Sequence, residues 1–243
     1  MKIIVNGACG RMGSEVIRMI GERDDLQVVA AVDQRAEQDG FYTSLEAFTG
    51  PADLLIDFSH HTAASSIVEY ILNRKLPAII ATTGHTPEEA ALIQSAAKSV
   101  PVFFSANMSL GVALLVQLAA KTAAVLKGAD IEIVETHHNR KADAPSGTAL
   151  MIANAMRDAR GGAEYCFGRH GMQKRNPGEI GIHAVRMGNI PGIHEVLVST
   201  DTQTITLKHE AHDRALFAEG ALAAAEFIIG RPAGLYDMQS MVQ

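Results

Sequence analysis

The segment Lys2-Ile-Ile-Val-Asn-Gly-Ala-Cys-Gly-Arg-Met-Gly13 carries the strongest fold signal in this 243-residue chain. A β-branched run ends at Gly7, and apolar residues then recur at helical spacing from Met12 to Ile20, which predicts a strand, a glycine turn and a helix. Glycines at such a turn let a pyrophosphate approach the backbone N–H groups at a helix start. The spacing is Gly-x-x-Gly-x-x-Gly, so an ordinary glycine turn is the alternative to a dinucleotide site.

The same strand and helix pattern continues through the first half of the chain. Further apolar strands are predicted at 26–32, 53–58, 77–81 and 100–104, with helices at 63–73 and 87–98. Continuous apolar strands that alternate with helices are typical of a parallel sheet covered on both faces. The fold class is therefore predicted to be α/β, with a Rossmann-like doubly wound sheet.

The second half has a different pattern. A helix at 110–126 leads to a strand at 130–137 and one more helix, after which strands at 180–187, 193–200 and 204–210 follow without intervening helices. Turn-like connections between these three strands predict an antiparallel meander in a second α+β domain. The glycine-rich region 161–178 is predicted to be a mobile loop. We assign residues 1–108 and 213–243, including a helix at 215–229, to the dinucleotide-binding domain, and residues 109–212 to a substrate-binding and oligomerisation domain.

Residues at strand ends extend the predicted cofactor site. Asp33 closes the second strand, where a carboxylate can accept hydrogen bonds from the adenosine ribose, while Arg11 or Arg35 could hold a 2′-phosphate. The choice between NADH and NADPH is therefore open. Segments 81–84 and 105–108 follow parallel strands and suit the nicotinamide side. The predicted cofactor-binding residues are Gly7, Ala8, Cys9, Gly10, Arg11, Met12, Asp33, Arg35, Ala81, Thr82, Thr83, Ser105, Ala106, Asn107 and Met108.

The segment from Glu135 to Ala149 holds the densest group of reactive side chains. His137 can give or take a proton at neutral pH, and Lys141 can hold a carboxylate or donate a proton. Ser146, Gly147 and Thr148 open a helix, whose N–H groups and hydroxyls form a carboxylate cradle. This pattern predicts acid–base chemistry on an anionic substrate.

Two other kinds of site are disfavoured in this segment. Successive strand residues point to opposite faces, so the adjacent His137 and His138 are poorly placed to share one metal ion, and no His-Glu-x-x-His pattern is present. We therefore predict no metal. Ser146 lacks the Gly-x-Ser-x-Gly turn of a nucleophile, and a serine before Gly-Thr at a helix start is usually a cap.

Composition limits the remaining functions. A formal charge of −6 argues against nucleic-acid binding, and no apolar stretch approaches the length of a membrane span. Cys9 and Cys166 belong to no paired motif, and the N-terminus has no export signal, so we expect a cytoplasmic protein.

The whole chain resembles the dihydrodipicolinate reductase (4-hydroxy-tetrahydrodipicolinate reductase) family of lysine and diaminopimelate biosynthesis. The resemblance rests on segments 7–13, 57–59, 82–84 and above all on His-His-x-x-Lys-x-Asp-Ala-Pro-Ser-Gly-Thr-Ala at 137–149. It implies NADH- or NADPH-dependent reduction of a cyclic dicarboxylate with loss of water, and a homotetramer built through the second domains. It also implies that His137 and Lys141 form the catalytic proton-donor pair, that His138 contacts the substrate, and that Lys141, Gly147 and Thr148 hold its carboxylates. The family usually has glycine where Ala81 stands here.

Two alternatives remain at this level. A nicotinamide-dependent oxidoreductase of another small acid would keep the glycine turn without needing Lys141 or residues 146–148. A non-catalytic dinucleotide-sensing protein would keep residues 7–33 but would have no use for the proton donor His137.

Overall fold

The computed structural model describes residues 1–37 and 39–243. The chain divides into two compact units. The first comprises residues 1–109, 215–241 and 243, and the second comprises residues 110–214 and 242.

The first unit is built on a seven-stranded sheet in which every neighbouring pair is parallel. Its strands are β1 (Lys2–Asn6), β2 (Gln27–Val32), β3 (Phe41–Tyr42), β4 (Leu54–Asp57), β5 (Ala78–Ile80), β6 (Pro101–Phe104) and, late in the chain, β12 (Gly234–Tyr236). They lie in the order β12-β6-β5-β4-β1-β2-β3. The Rossmann-like fold class is confirmed. The short strands β3 and β12 were not predicted, because two or three residues carry too little periodicity to be recognised.

Among its described residues this unit has four α-helices: α1 (Arg11–Gly21), α2 (Ala64–Arg74), α3 (Pro87–Ala96) and α6 (Ala215–Ile228). Helix α3 begins with a capping box, in which the Thr86 side chain accepts from the Glu89 N–H and the Glu89 carboxylate accepts from the Thr86 N–H. Helix α6 packs on α1, and Arg23 next to α1 donates to Glu226 of α6 at 2.5 Å. The last long helix of the chain is therefore part of the first unit.

The strand order fixes where a ligand can approach this sheet. The chain passes from β1 to β2 on one side and continues from β4 to β5 on the other side of β1. The carboxyl ends of β1 and β4 therefore border the switch point, the crevice in which open α/β sheets bind ligands.

The second unit has a five-stranded mixed sheet, covered by α4 (Leu110–Val125) and α5 (Gly147–Arg160). Its strands are β7 (Asp130–His137), β8 (Tyr165–Phe167), β9 (Ile180–Arg186), β10 (Gly192–Ser199) and β11 (Thr204–Ala211), in the order β11-β10-β7-β9-β8. Its core joins alternate residues of the central strands to the small and aliphatic residues of both helices. Burial of these apolar groups is the main stabilising contribution to this unit.

The predicted three-stranded meander is wrong. Strand β7 lies between β9 and β10 and pairs parallel with β9 and antiparallel with β10, so only β10 and β11 form a hairpin among the three. The loop 187–191 crosses the end of β7 and is hydrogen-bonded to it, through Met187 N–H to the His137 carbonyl and His138 N–H to the Ile190 carbonyl. Five residues are long enough to span two strand spacings, about 10 Å.

The region 161–178, predicted as a loop, contains the short strand β8, which pairs parallel with β9. Two arginines tie the rest of it to the sheet. Arg169 donates to the buried Glu179 at 2.5 Å, and Arg175 forms ion pairs with Glu132 and Asp130. Strand β8 was not predicted, because the glycine-rich turns on either side dominate the composition of this region.

Candidate active site

The glycine turn of the first unit has a shape that only glycine permits at two positions. Gly7 has a φ of +79°, and a Cβ there would lie 2.5 Å from the Phe58 carbonyl oxygen. A Cβ at Gly13 would lie 2.2 Å from the Gly7 carbonyl oxygen. The turn is thus packed tightly against both α1 and the end of β4.

Helix α1 presents free backbone donors to this turn. Gly10 is the N-cap, without a side chain to satisfy the first N–H groups, and the first helical bond runs from the Ser14 N–H to the Gly10 carbonyl. The N–H groups of residues 11–13 are therefore directed out of the helix start, where a helix dipole favours an anion. The turn fits a pyrophosphate.

Asp33 lies beside the turn and is almost fully buried. Its carboxylate accepts from the Cys9 N–H at 3.1 Å and from the Arg35 N–H at 3.0 Å, and the Arg35 side chain lies 3.3 Å away. Burial raises the pKa of Asp33, but the hydrogen bonds from Arg35 and Cys9 outweigh it and lower the pKa overall. The carboxylate is therefore held ionised, as a ribose acceptor must be.

A cavity of about 540 Å³ lies along this edge of the sheet. It is lined by the glycine turn, Asp33, Arg35, Phe58 and Ser59, among others. A cavity of this volume can enclose part of an organic cofactor. The Gly7 cradle, the helix start and the Asp33 carboxylate together fit a dinucleotide.

The two segments predicted for the nicotinamide side follow β5 and β6. Ala81 donates its N–H to the Asp57 carbonyl, so that group is used by the sheet. Thr82 is buried and Thr83 is exposed. After β6, Ser105 donates to the Asn107 carbonyl at 2.8 Å, and the Asn107 side chain accepts from the Ser109 N–H at 2.9 Å. These bonds fix the 105–108 turn at the carboxyl edge of the sheet.

In the second unit, His137 ends β7 and is held by a buried carboxylate. The His137 Nδ1 atom lies 2.6 Å from Glu135 Oε2, and Arg186 donates to both Glu135 oxygens at 2.8 Å. The Ser146 N–H donates to Glu135 Oε1 at 3.0 Å. Burial raises the pKa of Glu135, but the bonds from Arg186, His137 and Ser146 lower it overall. Glu135 is therefore an ionised orienting group for the imidazole.

His194 packs against His137 in an edge-on contact, with ring centroids 5.2 Å apart. Its Nε2 atom lies 3.1 Å from the Ser146 hydroxyl, which also accepts from the Ala149 N–H as the N-cap of α5. Burial, and then the charge of His137, lower the pKa of His194 to about 4. His194 is therefore a neutral neighbour of His137, and the polar groups of Ser146 are engaged within the protein.

His138 and Lys141 follow His137 in the chain, and Ser146, the N-cap of α5, contacts Glu135 and His194. The Lys141 ammonium lies 2.8 Å from the exposed Asp143. The Nδ1 atom of His138 is buried without a hydrogen-bond partner in the described part of the chain, and burial lowers the His138 pKa. Gly147, the first residue of α5, is exposed, and no atom would contact a Cβ there. The predicted substrate residues 138, 141, 147 and 148 thus lie in one short segment beside His137.

Sequence reasoning missed three residues of the His137 environment: Glu135, Arg186 and His194. The spacing of Glu135 and His137 on one strand was an available signal, since residues two apart point to the same face. Arg186 and His194 depend on strand pairing, which puts Arg186 opposite His137 and His194 opposite Glu135.

The described residues, 1–37 and 39–243, offer neither a metal cluster nor a membrane-spanning helix. In this part of the chain no group of three or more His, Cys, Asp or Glu side chains is placed to hold a metal ion. None of its helices is both long and apolar enough to span a bilayer.

Comparison with known protein families identifies the family to which this chain belongs. Residues 1–108 match the family model described as dihydrodipicolinate reductase, N-terminus, and residues 111–242 match the one described as dihydrodipicolinate reductase, C-terminus. The chain belongs to the dihydrodipicolinate reductase family. The two matches meet near the start of α4.

Other members of the dihydrodipicolinate reductase family align with this chain over its full length. The 4-hydroxy-tetrahydrodipicolinate reductase of Caldanaerobacter subterraneus subsp. tengcongensis is 45% identical, covering 100% of this chain and 98% of the relative. That of Clostridium novyi is 39% identical with the same coverage. Among solved structures, the dipicolinate-bound dihydrodipicolinate reductase of Paenisporosarcina sp. TG-14 aligns with a TM-score of 0.86 at 22% identity, covering 100% of this chain and 99% of that one. This likeness shows the shared fold.

Proposed function

We infer that this protein reduces 4-hydroxy-tetrahydrodipicolinate to tetrahydrodipicolinate with NADH or NADPH, in lysine and diaminopimelate biosynthesis. The observation that carries this inference is full-length identity of 45% to a reductase of that name. The ionised Glu135 beside His137 supports it, because a dinucleotide sensor needs no oriented proton donor.

The reaction adds a hydride and a proton to the substrate and releases water. A nicotinamide cofactor supplies the hydride when it is bound. His137 uses Nδ1 to contact Glu135, which leaves Nε2 as the nitrogen that can hold a proton for the substrate. Lys141 is the second member of the proposed proton-donor pair. A cation at this position also stabilises negative charge that develops on the ring system.

The substrate is a dicarboxylate, and the segment from His138 to Thr148 offers donors for it. We propose that Lys141 exchanges the exposed Asp143 for a substrate carboxylate, while the N-terminus of α5 at Gly147 and Thr148 holds a second one. His138 supplies a further contact through its ring. Ser146 acts mainly by capping α5, which keeps this helix start in place.

We propose that the first unit, as the dinucleotide-binding domain, uses the fifteen strand-end and turn residues named above, and that the second unit provides substrate binding and assembly. We also propose a cytoplasmic homotetramer. The sheet face of the second unit that α4 and α5 leave uncovered carries apolar, half-buried side chains, including Val134, Ile193 and Leu197. Light scattering after gel filtration should give four times the 25.9 kDa chain mass.

A single variant separates the proposed reductase from the sensor. His137→Ala should abolish substrate-dependent NADH oxidation while its affinity for NADH stays within about twofold, because His137 belongs to the proton-donor cluster rather than to the glycine turn. Isothermal titration with NADH provides the affinity. Full activity in this variant would remove His137 from the mechanism.

A further inference from the structure

Asp57 is a buried carboxylate at the carboxyl end of β4, beside the switch point between β1 and β4. It ends β4 and has no solvent exposure. It forms no ion pair with any of the described residues, unlike the buried Glu135 with its arginine. Burying an unpaired carboxylate costs stability, so its presence at a ligand-binding edge calls for a functional reason.

Four neutral donors converge on this carboxylate. Oδ1 accepts from the Asn6 amide at 2.8 Å, the Ser59 hydroxyl at 2.6 Å and the Ser59 N–H at 3.2 Å. Oδ2 accepts from the Thr82 hydroxyl at 2.7 Å. Burial raises the pKa of Asp57, and these hydrogen bonds oppose the increase without cancelling it, so the pKa stays above its usual range. Three of the four bonds are thus made to Oδ1, and the Thr82 hydroxyl is the donor to Oδ2.

This arrangement determines what the two hydroxyls can offer to a ligand. A hydroxyl has one proton and two lone pairs. Because Ser59 and Thr82 both direct their proton at Asp57, their oxygens can serve a ligand only as acceptors. A phosphate has no N–H or O–H to give them in its dianionic ester form, whereas an amide NH₂ does.

The position of Thr82 in the sheet indicates which amide of a dinucleotide it could contact. Asp33 and the glycine turn lie on the β1–β2 side and suit the adenosine half, so β4, β5 and β6 belong to the nicotinamide half of a doubly wound sheet. Thr82 follows β5. The nicotinamide carboxamide is the amide of that half.

We propose that Asp57 is a positioning residue that holds the Thr82 hydroxyl as an acceptor for the carboxamide NH₂ of the nicotinamide. This rests on the proposed function, because it assumes a nicotinamide dinucleotide at this edge. Asp57 thereby makes the site specific for an amide over a ketone at the same ring position.

The test compares two cofactors by isothermal titration: NADH and reduced 3-acetylpyridine adenine dinucleotide, in which a methyl ketone replaces the amide. The unmodified protein should bind NADH about 10-fold more tightly, the value of about one hydrogen bond with its unpaired partner. In Asp57→Asn the preference should fall below about twofold. In this variant the three donors at the Oδ1 position hold the amide oxygen of the asparagine. Its amide nitrogen then faces Thr82 and donates to the threonine hydroxyl, so that hydroxyl can direct its own proton at the ligand.

Two further variants complete the test. Thr82→Val removes the acceptor with little change in shape, so it should also lose the preference, and it decides the question if Asp57→Asn does not fold. Asp53→Asn is the matched control at the other end of β4, where the carboxylate is exposed and accepts from the Lys2 N–H. It should keep the 10-fold preference.

The outcomes separate this inference from the proposed function. Tight NADH binding without any preference in the unmodified protein, or a preference retained in Thr82→Val, would overturn the role of Asp57 alone. A purely structural role would weaken both ligands equally and leave their ratio unchanged, which also overturns it. Failure of the unmodified protein to bind either dinucleotide would overturn the proposed function as well.

Discussion

The Nδ1 atom of His137 lies 2.6 Å from Oε2 of Glu135, and Glu135 is itself completely buried between that imidazole and Arg186. The carboxylate thus fixes the ring orientation, while Arg186 keeps the carboxylate ionised. Glu135 acts through His137 and does not need to touch the substrate. Each part of this arrangement can be tested separately.

Glu135→Gln should reduce kcat by about 100-fold, the lower end of what a positioned acid–base group contributes. The glutamine can still contact Arg186 and His137, but it supplies no negative charge beside the imidazole. Steady-state kinetics across pH should show an altered kcat profile with little change in the KM for NADH, because the glycine turn is untouched.

The matched control for this variant is Glu132→Gln. Glu132 lies on the same strand, where it makes ion pairs with Arg169 and Arg175 and contacts His183, away from His137. It should lower the free energy of unfolding without altering the kcat profile. Equal profiles for both variants and the unmodified protein would contradict an orienting role for Glu135.

Gly192→Ala should impair turnover by obstructing the other nitrogen of His137. A Cβ at this position would lie 3.0 Å from His137 Nε2, which is closer than ordinary packing permits. We expect at least about a 10-fold loss of kcat, the effect of displacing a positioned group by a fraction of an ångström. Gly128→Ala is the control in the same unit, since no atom would contact the added methyl. Similar kcat values for the two alanine variants would show that Nε2 does not face the substrate.

His194 should make the protein less stable as the pH falls. Its pKa is about 4 in the folded protein and 6.5 ordinarily, so between these values the unfolded chain binds more protons. Stability from this residue is therefore complete above pH 6.5 and is lost as the pH falls towards 4, by about 3 kcal/mol at most. Urea unfolding over this range should show a smaller pH dependence in His194→Gln, which keeps a hydrogen-bonding group for Ser146. An identical pH dependence would mean that burial in the fold does not lower the His194 pKa.

Lys141→Ala should lower kcat/KM by at least about 100-fold while the fold survives, because Lys141 is partly exposed and its partner Asp143 lies at the surface. Lys121→Ala on α4 is the matched control, and it should leave kcat/KM unchanged. Near-normal kinetics for Lys141→Ala, measured with saturating NADH, would exclude it as a proton donor and as a carboxylate ligand.

Local patterns were sufficient to predict five of the seven strands of the first unit, but not the short strands β3 and β12. The alternation of strands and helices from Lys2 to Phe104 depends on residues close in sequence, and the glycine turn and Asp33 lie where it predicts. Sheet order in the second unit could not be obtained this way. The insertion of β7 between β9 and β10 results from pairing between segments about 50 to 70 residues apart, and no local periodicity records it.

The same distinction applies to the site. His137 and Lys141 stand out as titratable residues in a polar loop, and their segment carries the family pattern. Glu135 reads locally as one of several polar residues on a strand, while Arg186 and His194 reach it only through the register of β9 and β10. Asp57 is similar, because its partner Asn6 lies on β1 and its partner Thr82 lies in the segment that follows β5.

The most direct test of the function is a substrate-dependent assay with the unmodified protein. Pyruvate and aspartate semialdehyde are converted by the preceding synthase into the unstable substrate, and NADH and NADPH oxidation are followed by absorbance in separate reactions. We predict oxidation of at least one cofactor that requires the synthase and both of its substrates. No oxidation of either, by folded protein that binds NADH, would contradict it and favour a reductase of another acid or a dinucleotide sensor.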